Sequence, residues 1–176
     1  SGLKDGLQNI LNKKDNLSES IKNFIDHNFN PGEIDVNIMT KVDKDNFIKN
    51  VQLPTIYNDA HASLRGFANS KLSSSVIFSA GMNPRLYSYL EEFEDFFPNE
   101  NGELKKKIIL KVSDFRSAMI QGNFLAKKGL WVSEYRIESG LNCGGHAFAT
   151  DGLLMGPIME EFKQKKNELQ ASAFAL

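Results

Sequence analysis

The chain has 176 residues, of which 41% are hydrophobic and 24% charged, and its formal net charge is -1. These values are ordinary for one globular domain and exclude a disordered chain, and the balanced charge gives no reason to expect nucleic acid or a membrane surface as partner. No stretch approaches the roughly 18 consecutive apolar residues of a membrane-spanning helix. The single cysteine, Cys143, excludes an intrachain disulfide and favours a reducing compartment, so we predict a cytoplasmic protein.

The sequence pattern predicts an N-terminal helical segment over residues 1–32 and a parallel α/β domain over residues 33–176. Apolar residues recur at helical spacing from Leu3 to Leu11 and again from Leu17 to Phe29. The sequence "NPGE" at residues 30–33 is a turn that ends the segment.

Strands and helices alternate in the predicted α/β domain. Short apolar or alternating runs predict four strands, at Ile34–Val42, Val76–Phe78, Ile108–Val112 and Trp131–Ile137. This alternation is typical of parallel sheets whose crossover connections are right-handed.

Start and stop signals define the predicted helices. Asn83 followed by Pro84 opens a helix whose apolar spacing continues to Phe97. A second helix is capped by Ser113 or Asp114 and ends before the glycine at 129, and a third begins near the proline at 157. Residues 58–69 also fit a helix, although Pro54, Gly66 and a serine run leave its ends undefined.

The stretch "RIESGLNCGGHAFATDG", residues 136–152, follows the last predicted strand and holds the only cysteine, a histidine and four of the thirteen glycines. Because α/β proteins place function at the carboxyl ends of parallel strands, we predict the site here. Gly144 and Gly145 permit positive φ and close approach of a ligand. His146 would be an acid, a base or a hydrogen-bond donor, and a histidine at a sharp loop that binds only a backbone carbonyl is the alternative.

Other polar residues of this stretch are further candidates. Cys143 is a candidate nucleophile, since a nearby imidazolium would favour its thiolate, and packing as a small buried residue of the core or a loop is the alternative. Glu138 and Asp151 bracket the stretch and are candidates for binding a ribose, a substrate amine or a histidine. Solvated or capping carboxylates are the alternative for both.

A second polar group lies in "NDAHASLRG". Asp59 would orient His61, and Arg65 would bind a carboxylate or a phosphate of the substrate. An exposed helix face explains the same residues. Arg85 and Arg116 follow two other predicted strands and are weaker candidates, with helix surface as the alternative.

The segment from Gly140 to His146, "GLNCGGH", resembles a loop of flavin-dependent barrels of the nitronate monooxygenase type, which include the flavin-dependent enoyl-acyl-carrier-protein reductases. Those proteins carry Gly-x-x-Ala-Gly-Gly-His after a central strand. The resemblance covers about ten residues and implies a (β/α)8 barrel, FMN as cofactor and oxidoreduction of a small organic substrate. It also implies that Gly144 and Gly145 approach the flavin and that His146 is the base or a substrate ligand. Cys143 departs from the family's small alanine-type residue.

Chain length bears on this interpretation. A complete eight-unit barrel takes about 250 residues, so four strands predict part of a barrel. Such a part would expose a sheet edge and need a partner, either the remainder of a longer chain or another copy in a homo-oligomer.

Two other functions stay open. In a thiol-dependent hydrolase or acyltransferase, Cys143 would attack an acyl carbon with His146 or His61 as base. In a non-catalytic binding or assembly domain, the glycine loop would be only a tight turn. One cysteine and three scattered histidines give no paired ligand spacing, so no metal site is expected.

Overall fold

The computed structural model describes residues 2–12, 16–29, 34–38, 43–138 and 155–176. The chain forms two compact units, Ser1–Glu33 and Ile34–Leu176. In the first unit, helices α1 (Gly2–Leu11) and α2 (Leu17–Asn28) lie where the apolar spacing predicts helices. They meet where the absence of a side chain at Gly6 admits the ring of Phe24, since a Cβ built at Gly6 would lie 2.8 Å from that ring.

The second unit is built on a four-stranded sheet, which confirms the predicted parallel α/β class. Its strands are β1 (Val36–Ile38), β4 (Ser74–Phe78), β5 (Lys106–Val112) and β6 (Val132–Ile137), all parallel and in the spatial order β1-β4-β5-β6. A short antiparallel hairpin, β2 (Phe47–Ile48) and β3 (Val51–Gln52), follows β1. Each predicted strand overlaps an observed one; residues 39–42 of the first lie outside the described residues.

In the part of this unit that the structure describes, four helices accompany the sheet: α3 (Asp59–Ala68), α4 (Pro84–Tyr89), α5 (Phe115–Ala126) and α6 (Met155–Phe174). Two predicted N-caps are confirmed, because Asn83 Oδ1 accepts from Leu86 N at 3.1 Å and Asp114 Oδ1 accepts from Ser117 N at 2.7 Å. These side chains satisfy helix amides that have no partner within the helix.

The helix predicted to reach Phe97 is wrong in its length. It ends at Tyr89 and gives way to two 3-10 turns, Leu90–Glu92 and Glu94–Phe96. Phe93 between the turns has extended backbone, with φ -123° and ψ 111°. Four carboxylates fall within residues 91–95, and like charges at helical spacing repel each other and disfavour a continuous helix.

One face of the sheet packs against the helices and forms the core. Right-handed crossovers between neighbouring strands place their helices on the same side of a sheet. The strand residues of this helix-facing side alternate along each strand: Val36, Ile38, Val76, Phe78, Ile108, Leu110, Val112, Tyr135 and Ile137. They pack with buried residues of all four helices, such as Leu64, Leu86, Leu125 and Phe162.

The opposite face is polar at most positions, and it is strongly curved. Through the strand register, Arg136 of β6 lies one residue beyond the level of Ile38 in β1. Asp35 lies three strands away from Arg136 and four residues closer to the amino-terminal edge of the sheet. In a flat sheet the Cα atoms of these two residues would therefore be about 19 Å apart. Yet Arg136 Nη2 donates to Asp35 Oδ2 at 2.8 Å, a separation that the two side chains could not span in a plane.

The sheet therefore curls toward this side, which we call the concave face. Its residues are Asp35, Asn37, Ser75, Ile77, Lys107, Ile109, Lys111, Glu134 and Arg136, with Glu138 directly after β6. Ile77 and Ile109 are buried at its centre.

Two helical glycines give a test of the packing beside β6. A Cβ at Gly66 in α3 would meet nothing within 4 Å, whereas one at Gly122 in α5 would overlap the hydroxyl of Tyr135. We expect Gly66→Ala to raise the free energy of unfolding by about 0.5–1 kcal/mol, because alanine restricts the unfolded chain. Gly122→Ala should lower it by about 1 kcal/mol, because overpacking outweighs that gain.

Urea denaturation of both variants checks the prediction. In a Tyr135→Phe background most of the loss caused by Gly122→Ala should disappear, since the overlapping oxygen is gone. An equal loss in both backgrounds would contradict the assigned contact.

Candidate functional site

The carboxyl ends of the four parallel strands meet at one edge of the sheet, where α/β proteins bind ligands. Glu138 directly follows β6 at this edge, and its backbone N–H donates to the carbonyl of Val112, the last residue of β5, at 2.9 Å. Glu138 is therefore fixed at the carboxyl edge of the sheet.

An ion pair on the concave face marks this edge. Lys111 Nζ lies 2.9 Å from Glu138 Oε2, and the two side chains are only 17% and 18% exposed. Partial burial strengthens such a pair relative to a fully solvated one. Glu138, a predicted cofactor-binding residue, thus lies on the concave face beside a cation that our sequence interpretation had not selected.

A second charged group continues along the concave face. The Arg136 guanidinium donates from Nε to Glu134 Oε1 at 2.5 Å and from Nη2 to Asp35 Oδ2 at 2.8 Å. These hydrogen bonds, to Glu134 first and then to Asp35, raise the pKa of Arg136 further above its usual value. Asp35 Oδ1 is buried and accepts no hydrogen bond from any of the described residues.

Five predicted site residues lie outside the described residues. They are Cys143, Gly144, Gly145, His146 and Asp151. Their assignments as catalytic, cofactor-binding and substrate-binding residues stay predictions.

His61 lies in the core, at the start of α3. Its side chain is 3% exposed, its Nδ1 contacts Asp43 Oδ2, and its ring centroid lies 5.1 Å from that of Tyr89. The same carboxylate accepts from Ala60 N at 3.3 Å. The prediction that Asp59 orients His61 is wrong, since Asp43 occupies that position.

Arg65 is one turn further along α3. Its Nη1 donates to the carbonyl of Ile56 at 2.6 Å, and the hydroxyl of Tyr89 lies 3.5 Å away. These contacts hold the side chain against neighbouring backbone. Substrate binding by His61 and Arg65 stays a prediction.

A buried lysine lies at the opposite, amino-terminal edge of the sheet. Lys106 is fully buried, and its Nζ donates to the carbonyls of Ser70 at 3.0 Å and Leu72 at 2.7 Å. Burial lowers the pKa of this ammonium. Because these carbonyls belong to the connection that leads into β4, the lysine anchors that connection.

Sequence interpretation missed Asp35, Lys111 and Arg136, although a signal for two of them was present. In "KKIILKV" and "VSEYRIE" charged residues recur at every second or fourth position, on one side of the strand. Strands buried on both faces are near-continuously apolar. Charges at period two therefore indicate a polar face, whose partner in β1 only the structure reveals.

The fold and these residues define a curved parallel α/β sheet with a charged concave face. Among the residues that the structure describes, no group of three His, Cys, Asp or Glu side chains is arranged to bind a metal ion. Of the helices in the described ranges, none combines the length and hydropathy needed to cross a membrane. Comparison of the chain with protein-family models, with curated proteins and with solved structures gave no match.

Proposed function

We propose that this chain is part of a (β/α)8-type barrel that binds FMN at the carboxyl edge of its sheet and oxidises or reduces a small organic substrate. The proposal depends most on one observation. The segment that resembles the flavin loop, Gly140–His146, begins two residues after Glu138, which is held at that edge beside Lys111.

The residues of the concave face fit such a cofactor chemically. A cation near the flavin ring tunes its electronic properties, and Lys111 is a cation at the carboxyl edge.

The roles of the protein follow from this arrangement. The ion pair with Glu138 holds the Lys111 ammonium in place at the carboxyl edge of the sheet. The ammonium would then need no rearrangement to interact with a bound flavin. Gly144 and Gly145 would allow close approach of the ring, and His146 would exchange a proton with the substrate, as the resemblance implies. Bound FMN would supply the hydride chemistry.

FMN binding tests the proposal directly. We expect the purified protein, titrated with FMN, to quench flavin fluorescence with a saturable isotherm. Lys111→Met should weaken binding about tenfold, the loss expected for one charge-assisted hydrogen bond. Gly145→Ala should weaken it at least as much, because the added methyl obstructs approach of the ring.

Gly66→Ala is the matched control, since its Cβ points into open space, and it should leave FMN affinity unchanged. His146→Ala should retain FMN binding while turnover falls about a hundredfold or more. Absence of saturable FMN binding would overturn the proposal. Rapid alkylation of Cys143 by iodoacetamide at mildly acidic pH would then favour the thiol-dependent alternative.

A further inference from the structure

Both edges of the sheet lack a neighbouring strand within the described ranges. Among the strands that the structure describes, β1 pairs only with β4, and β6 pairs only with β5. Because Glu138 N points toward β5, the alternation of backbone groups directs the N–H and C=O of Tyr135 and Ile137 away from the sheet. Exposed edges of this kind readily pair with another strand.

An apolar groove of about 480 Å³ lies directly beside β6. It is lined by Val132, Tyr135 and Ile137 of β6 and by Met159 and Phe162 of α6. Helix α6 runs alongside α5: Phe162 contacts Phe115 at the start of α5, and Ser172 Oγ lies 3.0 Å from Asn123 Oδ1 near its end. Helix α6 therefore forms one wall of the groove, in the position that a helix packed on the next strand after β6 would take in a parallel α/β fold.

Exposed apolar residues accompany both edge strands. The β2–β3 hairpin, which follows β1 along the chain, exposes Phe47 and Val51, and Met159 is exposed in the lining of the groove beside β6. At the amino end, Ile34 precedes β1, and Phe174 packs on Trp131 just before β6. The exposed apolar residues beside one edge strand could therefore pack against those beside the other edge strand.

We infer that two copies of this chain associate with β1 of each beside β6 of the other, so that eight parallel strands close into one barrel. The curvature required by the bond between Arg136 and Asp35 brings the four strands part of the way around such a ring. Eight strands enclose an interior that side chains can fill. In this dimer each copy adds its own concave face to a shared interior, and β1 with the hairpin covers the groove of its partner.

Sedimentation equilibrium of the full chain tests the inference. We expect twice the mass of one chain over the micromolar range. The dimer would contain two junctions, each formed by β1 of one copy and β6 of the other. Met159→Glu should raise the dimer dissociation constant at least about tenfold, because it places a charge in both of these apolar junctions. Val51→Glu, on the opposite edge, should do the same. Ile120→Glu is the matched control, since Ile120 is 51% exposed on α5 and Met159 is 48% exposed, and it should leave the dimer intact.

Mixing the two variants identifies the pairing. A heterodimer of Met159→Glu and Val51→Glu has one junction without either change, so the mixture should dimerise more tightly than each variant alone. A monomeric wild-type chain would overturn the inference. A dimer weakened by Met159→Glu but not by Val51→Glu would also overturn it, in favour of β6 pairing with β6. Mass that grows beyond a dimer would mean open-ended association and would overturn closure.

Discussion

We expect Asp43→Ala to lower the free energy of unfolding by about 2–4 kcal/mol, the range for breaking a buried hydrogen-bonded pair and leaving one partner unsatisfied. Asp43 is 7% exposed, and its two carboxylate oxygens accept from Ala60 N and contact His61 Nδ1. Alanine would leave a buried imidazole nitrogen and an amide at the start of α3 without acceptors. Urea denaturation followed by circular dichroism measures the loss.

Asp59→Ala is the control for this prediction. Asp59 lies in the first turn of the same helix but is exposed, and its nearest partner, Asn46 Nδ2, is 3.4 Å away. Its removal should cost less than about 1 kcal/mol, the usual contribution of an acidic residue at a helix N-terminus. Asp43→Asn, which keeps an acceptor oxygen, should lose less than Asp43→Ala. Equal losses for Asp43→Ala and Asp59→Ala would show that the buried pair contributes little.

The features that we could predict from the sequence are those that depend only on residues close together along the chain. Asn83 and Asp114 cap their helices as expected, because a cap needs only a short polar side chain three residues before a backbone N–H. The four parallel strands also follow from local apolar runs. The predicted pairing of Asp59 with His61 failed for an equally local reason, since residues two apart lie on different sides of a helix.

Features that join distant parts of the chain could not be predicted in this way. Asp43 reaches His61 from 18 residues away, and Asp35 meets Arg136 across 101 residues. The second contact depends on the curvature of the whole sheet, which no single strand encodes. Period-two charges reveal a polar face, whereas the identity of their partners follows only from strand order and register.

The contact between Asp35 and Arg136 gives the second large effect that we expect. Arg136→Met should lower the free energy of unfolding by about 1–3 kcal/mol, because it removes two hydrogen bonds to carboxylates and leaves a half-buried Asp35 without its cation. A double-mutant cycle with Asp35→Asn should give a coupling energy of at least about 1 kcal/mol. Residues at opposite edges of a flat sheet would show none.

The matching cycle with Glu134 separates curvature from simple charge pairing. Glu134 contacts the same guanidinium from the same strand and is 47% exposed, compared with 22% for Asp35. An exposed pair of this kind should couple by less than about 0.5 kcal/mol and should weaken further in high salt. If Asp35 coupled no more strongly than Glu134, the sheet would not curl enough to bring the side chains of its two edge strands into contact. A strong coupling that survives high salt would mean that the concave face is ordered within a single chain.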